Sequence, residues 1–333
     1  MIKRWVGIAL GLILITACGL PGTSQLQVLS PLDSFAHDIT FSPDGQLLAS
    51  GTLDDGAKIW RVTDKTLVAS VGNGDIRAIA FFPDGQFIVT GGGGEASTVS
   101  IWSIADASLI RTLDPSRTSW VQSVDVSPDG SQIAVGTNEH VHLFNVADGS
   151  LRHTFDTFGM QVTFSPDGHH LAIAENLPVI RIWSLDNYTE LYTLSGHGFS
   201  IAYSLDGKLF AAPGWNNQGM VTFQGAENFA TTAGGENEVQ VWNVADGRHL
   251  RAMNTHGGQL HGLAFSPDTQ FLVSGGNDNT VRLARVTDGS EVASVKVGNS
   301  VDSVAFSPDG TTVAIGIYKM LYLWPVGDVV HKK

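Results

Sequence analysis

Residues 41–45 read Phe-Ser-Pro-Asp-Gly, and this phrase, identical or nearly so, occurs seven times along a chain of 333 residues. The copies occupy residues 41–45, 81–85, 126–130, 164–168, 203–207, 265–269 and 306–310. Successive copies are 40, 45, 38, 39, 62 and 41 residues apart. A period close to 40 residues indicates one supersecondary unit copied seven times.

Each repeat has the pattern of four short strands. An alternating run rich in β-branched residues, such as residues 76–81, leads into the phrase. Pro-Asp-Gly then reverses the chain, since proline presets one turn corner and glycine accepts a positive φ. Many strands are apolar on both faces, which suits a sheet packed between two other sheets. We therefore predict an all-β fold, a seven-bladed β-propeller of four-stranded antiparallel blades.

The two ends of the chain are predicted to close the ring. The last repeat ends near Val326, after its third strand, whereas residues 25–29 form an alternating run with no partner before the first repeat. An open ring would expose an unpaired strand edge. We therefore expect residues 25–30 to pair with residues 319–325 and to supply the outer strand of the last blade.

The third strands carry a recurring tryptophan, at positions 60, 102, 183, 242 and 324. With the turns, these residues make the chain resemble WD-repeat β-propellers over about residues 26–326, which implies one such domain at 26–333 and a protein or peptide partner. The Asp that follows Trp in that family is absent here, and the residues in its place are Arg61, Ser103, Asn145, Ser184, Asn243, Arg285 and Pro325. Two repeats have Phe144 and Ala284 instead of Trp.

The resemblance also implies a buried hydrogen-bond network of Asp, His, Ser or Thr, and Trp within a blade. The sixth repeat matches it best, with Asp278, His256 and Ser274 but no Trp, while the family's Gly-His pair is intact at 196–197. These residues are structural in the family. We therefore expect His256, Ser274 and Asp278 to stabilise the blade and not to act as catalysts.

The N-terminal segment has the layout of a bacterial lipoprotein signal. A basic opening precedes an apolar or small-residue run at 6–17, too short to span a bilayer, and residues 15–18, Ile-Thr-Ala-Cys, resemble a lipobox. This resemblance implies removal of residues 1–17, lipidation of Cys18 with diacylglycerol and further acyl chains such as palmitate, and a flexible tether at 18–25. The alternative is an ordinary cleaved signal peptide with an incidental cysteine. We expect anchorage in the bacterial cell membrane or outer membrane, facing the periplasm or the exterior.

Composition narrows the classes of function and partner. Acidic residues outnumber basic ones by 32 to 19, so the net charge of −13 disfavours nucleic acid, which requires a basic footprint. Cys18 is the single cysteine, so no disulfide can stabilise the propeller. We expect the propeller to be monomeric. No serine-hydrolase, phosphate-loop or paired-cysteine metal motif occurs. We therefore expect no enzyme activity, no cofactor and no metal.

The fifth repeat contains about 20 extra residues, an insertion that in repeat proteins maps to a loop on one face. Either residues 208–214 or residues 229–236 could form its second strand; we favour the first, which places the insertion near 213–233. Aromatic and amide side chains of this kind occur at binding surfaces. The candidate binding residues are Trp215, Asn216, Asn217, Gln218, Met220, Phe223 and, from an earlier loop, Trp120. The alternative is a hairpin that packs its own aromatics on the blade.

Three hypotheses for function remain open. The first is a membrane-anchored platform that binds a protein or peptide at the bacterial envelope through one face of the ring. The second is a small-ligand or carbohydrate sensor, which requires a concave aromatic pocket. The third, a propeller-scaffold hydrolase or lyase, requires titratable residues that converge at the mouth of the central channel.

Overall fold

The structure is a computed structural model that describes residues 26–330 except 33, 94–97, 115–119, 177, 197, 215–228, 231–236 and 254. Several sequence predictions fall outside the described residues: the signal peptide at 1–17, Cys18, the tether to residue 25, and His197. The insertion residues Trp215, Asn216, Asn217, Gln218, Met220 and Phe223 also fall outside them.

The described strands form seven sheets arranged as blades, each with four antiparallel strands, as the sequence predicts. The first three blades contain β2 (Ala36–Phe41), β3 (Leu47–Thr52), β4 (Ala57–Arg61) and β5 (Leu67–Val71); β6 (Ile76–Phe81), β7 (Phe87–Gly92), β8 (Val99–Ser103) and β9 (Leu109–Leu113); and β10 (Val121–Val126), β11 (Gln132–Thr137), β12 (Val141–Asn145) and β13 (Leu151–Phe155).

The fourth to seventh blades have the same order from the channel outward. They contain β14 (Gln161–Phe164), β15 (His170–Ala174), β16 (Ile180–Ser184) and β17 (Glu190–Leu194); β18 (Ala202–Tyr203), β19 (Leu209–Pro213), β21 (Val239–Asn243) and β22 (His249–Met253); β23 (Leu260–Phe265), β24 (Phe271–Gly276), β25 (Thr280–Arg285) and β26 (Glu291–Lys296); and β27 (Val301–Phe306), β28 (Thr312–Ile317), β29 (Met320–Pro325) and β1 (Gln27–Pro31).

The Ser-Pro-Asp-Gly phrase forms the turn between the first and second strands. In blade one the Ser42 hydroxyl donates to Asp44 Oδ1 (2.6 Å) and accepts from the Leu47 backbone N–H (2.9 Å). The Gly45 N–H donates to the Ser42 carbonyl, and Gly45 has φ 70°, a conformation that glycine adopts without strain. The same serine hydroxyl links recur in five further blades, at Ser127, Ser165, Ser204, Ser266 and Ser307.

The N-terminal strand closes the ring, which confirms the prediction. β1 pairs antiparallel with β29, from Gln27 opposite Leu323 to Pro31 opposite Met320. The backbone N–H of Leu32 then donates to the Lys319 carbonyl at 2.8 Å. The seventh blade therefore takes three strands from the end of the chain and its outer strand from the beginning.

Blade five uses the first of the two possible second strands. β19 (Leu209–Pro213) pairs directly with β21, and the N–H of Gly214 donates to the Glu238 carbonyl at 2.7 Å. The second alternative began at Phe229, and here the two-residue strand β20 (Phe229–Ala230) pairs in parallel with β17 on the outer edge of blade four. The insertion therefore leaves blade five and returns to it at one end of the blade.

The hydrophobic core lies between blades and not within them. Seven buried clusters each draw residues from neighbouring sheets; one joins Leu283 of blade six to Val304, Ile315 and Trp324 of blade seven. All six residues of β24 are buried, so both of its faces are covered. One short helix, α1 (Gly327–Val330), follows β29, and no helix in the described part of the chain is long and apolar enough to cross a bilayer.

Candidate functional site at the channel mouth

The propeller has two unlike ends. One end, here called the turn face, carries the Ser-Pro-Asp-Gly turns and the turns between third and fourth strands. The other, here called the loop face, carries the loops between second and third strands and those that lead from one blade to the next. Trp120, which directly precedes β10, and the end of β19, where the insertion begins, both lie on the loop face.

The innermost strands direct one ring of side chains into the loop-face mouth of the central channel. In five blades the ring residue lies at a register shift between the first and second strands. Such a shift is a β-bulge, and a bulge changes the direction of a side chain. The ring contains His37, Arg77, Gln122, Met160, Phe199, His261 and Asp302, and it lines a cavity of about 190 Å³. All seven blades therefore contribute to one polar cavity.

Side chains just below this ring join blade one to blade two, blade three to blade four, and blade five to blade six. The innermost strand of a blade has an edge that faces the channel, so some of its N–H groups lack a strand partner. Asp38 Oδ2 accepts the N–H of Ile79 at 3.1 Å, and Asp125 Oδ2 accepts the N–H of Phe164 at 2.8 Å. Serine hydroxyls accept in the same way elsewhere, Ser123 from Val162 and Ser200 from Leu263.

Burial shifts the ionisation of the channel groups. Desolvation raises the pKa of Asp38 to about 7, against the hydrogen bonds that it accepts, and raises the pKa of Asp125 to about 6. Desolvation also raises the pKa of Asp302 to about 6. Burial lowers the pKa of both His37 and His261, so these imidazoles are neutral at pH 7. The channel therefore holds carboxyl groups that no histidine cation neutralises.

Trp120 stands beside the mouth as an exposed but fixed aromatic. The Arg77 guanidinium lies 4.3 Å from the centre of its ring, and Arg77 Nε donates to Asp75 Oδ2 at 2.8 Å. The backbone N–H of Trp120 donates to Asn138 Oδ1 at 2.9 Å, and 41% of the residue remains exposed. A large aromatic side chain that is held in place and left open to solvent suits recognition of a partner.

The sequence analysis did not identify a pair of aromatic residues that also lies on the loop face. Phe35 and Tyr318 pack edge to face with ring centres 4.5 Å apart, and both are more than a third exposed. Phe35 precedes the innermost strand of blade one and Tyr318 lies in the last loop of blade seven. They meet because β1 joins the two ends of the chain. Aromatic residues placed next to turn residues were the available signal, but only ring closure shows that these two are neighbours.

His256, Ser274 and Asp278 lie together in blade six. His256 Nδ1 is 3.1 Å from Asp278 Oδ1, and its Nε2 is 2.8 Å from Ser274 Oγ. Since an ionised Asp only accepts, Nδ1 carries the proton and Nε2 accepts from the serine hydroxyl. The hydrogen-bond order is that of a serine-hydrolase triad, but Ser274 is 0% exposed and His256 is 3% exposed. No substrate can reach that hydroxyl in this arrangement.

The environment of Asp278 fits the structural role that the resemblance implies. Despite desolvation, hydrogen bonds from the Gly257 N–H, Thr280 and His256 lower the pKa of Asp278 to about 2. Burial in turn lowers the pKa of His256, so the pair is a neutral imidazole bonded to a carboxylate. In blade two, where Trp is present, Trp102 Nε1 donates to Thr90 Oγ1 at 2.9 Å. The described residues contain no cluster of three or more potential metal ligands.

Comparison with known protein families agrees with this architecture. The family model described as "WD domain, G-beta repeat" matches residues 25–61, 65–103, 107–145 and 247–283. Each matched segment runs from the outer strand of one blade through three strands of the next. The chain carries WD40 repeats. WD-repeat propellers typically serve as platforms that bind protein partners.

Individual relatives share the WD40 repeats within longer proteins. Periodic tryptophan protein 2 of Arabidopsis thaliana is 30% identical over 200 residues, 58% of this chain and 20% of that protein. Apoptotic protease-activating factor 1 of Rattus norvegicus is 24% identical over 304 residues, 86% of this chain and 22% of that protein. The uncharacterized WD repeat-containing protein sll1491 of Synechocystis sp. is 40% identical over 109 residues, 32% of this chain and 30% of that protein. The WD40 chain thus spans less than a third of each.

Proposed function

We propose that this WD40 propeller is a membrane-anchored platform at the bacterial envelope that docks a protein or peptide on its loop face. The observation that carries the proposal is Trp120, an exposed ring beside the channel mouth that stacks on Arg77 and whose backbone N–H is bonded to Asn138. Fixed exposed aromatics lose little conformational freedom on binding and dominate many interfaces. The blade-five insertion begins on the same face.

The position of the N-terminal strand supports an anchor that leaves this face free. Gln27 pairs with Leu323, closer to the turn-face end of β29, whereas Pro31 pairs with Met320 at the loop-face end. A tether from Cys18 to Leu26 therefore joins the propeller toward its turn face. When extended, it reaches roughly 25 Å, which keeps the propeller close to the lipid. Two or three acyl chains on Cys18 anchor firmly, since each buried CH₂ contributes about 0.8 kcal/mol.

The expected partner is a protein of the envelope. The net charge of −13 gives the propeller no basic footprint for nucleic acid, so we propose none as a partner, and we propose a monomeric propeller. The site of action is the bacterial cell membrane or the outer membrane, on the periplasmic or exterior side. Binding, and not catalysis, is the proposed activity.

Fractionation and cross-linking in a bacterial host test the two parts of this proposal separately. The wild type should fractionate with membranes and Cys18→Ala should not. Cross-linking of intact cells, with mass spectrometry of co-purifying proteins, should give a defined envelope partner for the wild type. Trp120→Ala, or removal of residues 213–233, should abolish that partner.

Leu205→Ala is the matched control for the docking face, because Leu205 is 66% exposed but lies in a turn of the opposite face. It should retain the partner. A partner that survives loss of both Trp120 and residues 213–233 would contradict docking on the loop face. A wild type that is soluble would contradict the anchor alone.

The hydrolase or lyase alternative required titratable residues at the channel mouth, and His37, Asp38, His261 and Asp302 do line it. Among the described residues, however, the Ser274–His256–Asp278 set is buried and away from this cavity. The titratable groups at the mouth meet the condition for this alternative, while the buried Ser274–His256–Asp278 set lends it no support, so binding is kept as the first proposal.

A further inference from the structure

The channel mouth is a small cavity lined by side chains from all seven blades. Each blade supplies a side chain at the same level, and five of these side chains are aimed inward by a bulge at the same place in the innermost strand. Bulges at the same level in several blades direct polar side chains into the channel mouth. In a regular strand the same side chains would point into the space between blades. The position of the cavity therefore follows from the repeated blade structure, whereas the side chains that line it are specific to this chain.

Several polar atoms at this site have no hydrogen-bond partner within the described part of the chain. They include His37 Nε2, His261 Nε2 and Asp302 Oδ2, all three shielded from bulk solvent. Buried polar atoms are nearly always satisfied by protein, by water or by a ligand. Three such atoms around one cavity indicate that its contents, and not the protein, complete their hydrogen bonds.

The two carboxyl groups of the cavity ionise as pH rises through 6 and 7, because burial raises the pKa of Asp302 to about 6 and that of Asp38 to about 7. Asp38 and Asp302 line the cavity, while the two imidazoles are neutral at pH 7 because burial lowers the pKa of each. Arg77 is the one Lys or Arg among the described residues that line the cavity, and its guanidinium is already bonded to Asp75 at 2.8 Å and stacked on Trp120. Buried carboxylates without a cation are unfavourable, so the site favours a positively charged occupant.

The size and the apolar lining restrict that occupant further. The cavity of about 190 Å³ is smaller than the roughly 300 Å³ at which pockets for drug-sized ligands begin. Met160 and Phe199 provide an apolar wall, with the Phe199 ring 5.2 Å from the His261 ring. Aromatic rings attract organic cations through their π face. Since no cluster of three metal ligands occurs in the described residues, a metal ion suits the site less well.

We propose that the channel mouth is a binding site for a small organic cation, a primary ammonium or guanidinium group on a short aliphatic chain. The cationic head lies between Asp302 and Asp38 and donates to the unpartnered Nε2 of His261. The aliphatic chain lies against Met160 and Phe199. This site is independent of the protein-docking role and of the membrane anchor.

The chemistry of the site sets the pH dependence of binding. Burial raises the pKa of Asp38 to about 7 and that of Asp302 to about 6 in the empty site, and a bound cation favours their ionised forms. The cation therefore displaces protons, and its affinity should rise as pH increases through 6 and 7. His37, which faces Asp75 across 3.8 Å, gains a proton only at lower pH and then opposes the cation.

Titration calorimetry on the purified full chain tests this proposal, with putrescine and agmatine as probes and 1,4-butanediol as the uncharged match for putrescine. Both amines should bind at pH 7.5, more weakly at pH 5.5, and the diol should not bind. Asp302→Asn should weaken the amines at least tenfold, while Asp186→Asn, a matched change at a carboxylate on the turn face, should leave their affinity unchanged.

Phe199→Leu keeps every carboxyl group and should also weaken binding, so the test does not depend on Asp302→Asn remaining folded. Equal affinity for putrescine and 1,4-butanediol, or no heat from either amine at pH 7.5, would overturn the proposal in the wild type. Wild-type affinity in a folded Asp302→Asn protein would overturn it as well.

Discussion

At the scale of single residues, one backbone conformation recurs and one residue departs from it. The turn glycine of the repeated phrase has φ between 67° and 75° at positions 45, 85, 130, 168, 207 and 310. Blade six has Thr269 there instead, with φ 61°. A side chain in this left-handed region costs roughly 1–2 kcal/mol, so the sixth turn is strained in a way that the others are not.

Thr269→Gly is therefore expected to stabilise the protein. Relief of the left-handed strain exceeds the roughly 0.5–1 kcal/mol that glycine loses in chain entropy, so the unfolding free energy should rise by about 0.5–1 kcal/mol. Chemical denaturation measures the change. The reverse substitution in blade seven, Gly310→Thr, is the matched control and should destabilise, because a Cβ at Gly310 meets nothing closer than Pro267 at 3.4 Å and strain alone is altered.

Asp38 gives a pH dependence of stability with a definite sign. Burial raises the pKa of Asp38 from 3.8 to about 7, so its contribution is fully present below pH 3.8 and is lost as pH rises through 7. Asp38→Asn should remove this decline between about pH 4 and pH 8, while its amide oxygen still accepts the Ile79 N–H. Denaturant titrations at a series of pH values measure the slope.

Asp44, in the turn of the same blade, is the opposite control. The Ser42 hydroxyl and the Gln46 N–H hold the pKa of Asp44 below 3.8, so its contribution is present above pH 3.8 and is lost as pH falls. Asp44→Asn should therefore lower stability near pH 7 and have little effect near pH 3. An Asp38→Asn protein whose stability still falls from pH 4 to pH 8 as steeply as that of the wild type would refute the assignment.

At the scale of elements, β1 differs from every other outer strand because its partner lies at the far end of the chain. Leu29 is 5% exposed and packs in a cluster with Leu321, Leu323 and residues of blade one, whereas Val28 points outward and is 45% exposed. The strand thus contributes a ladder of hydrogen bonds and one buried side chain at the junction of blades seven and one.

Leu29→Ala should destabilise the ring by about 2–4 kcal/mol, because a cavity remains between two blades. Val28→Ala, one residue away in the same strand, should change stability by less than about 0.5 kcal/mol. Thermal and chemical denaturation measure both. Equal effects of the two substitutions would show that β1 is not packed on the ring as described.

At the scale of the whole molecule, the blade architecture and its closure could be predicted from the period and turns, and the channel mouth could not. A repeat of 40 residues with a Pro-Asp-Gly turn specifies a blade locally, and the lone alternating run at 25–29 marks the missing strand. The mouth combines single residues from all seven blades, such as His37 and Asp302, that are hundreds of positions apart. Only the arrangement of the seven inner strands around one channel, five of them with a bulge at the same position, brings them together.

The candidate docking face could likewise be predicted only in part from the sequence. Trp120 stood out as a loop aromatic, but its stacking on Arg77 and its bond to Asn138 depend on two neighbouring blades. The pairing of Phe35 with Tyr318 depends on ring closure. Local patterns in the sequence identify elements, whereas surfaces formed where elements meet require the three-dimensional arrangement.

The strand that completes the seventh blade also determines how the molecule bears mechanical load. Residues 1–26 lead directly into β1, so any pull on that end acts first on the pairing of Gln27 with Leu323. Force applied at the end of an outer strand peels its hydrogen bonds one at a time, not all together as in shear. Detachment of β1 would remove the outer strand of blade seven and its packing at the junction of blades seven and one. A pull across β1 from the N-terminal side is therefore expected to open the ring first at the place where it was closed.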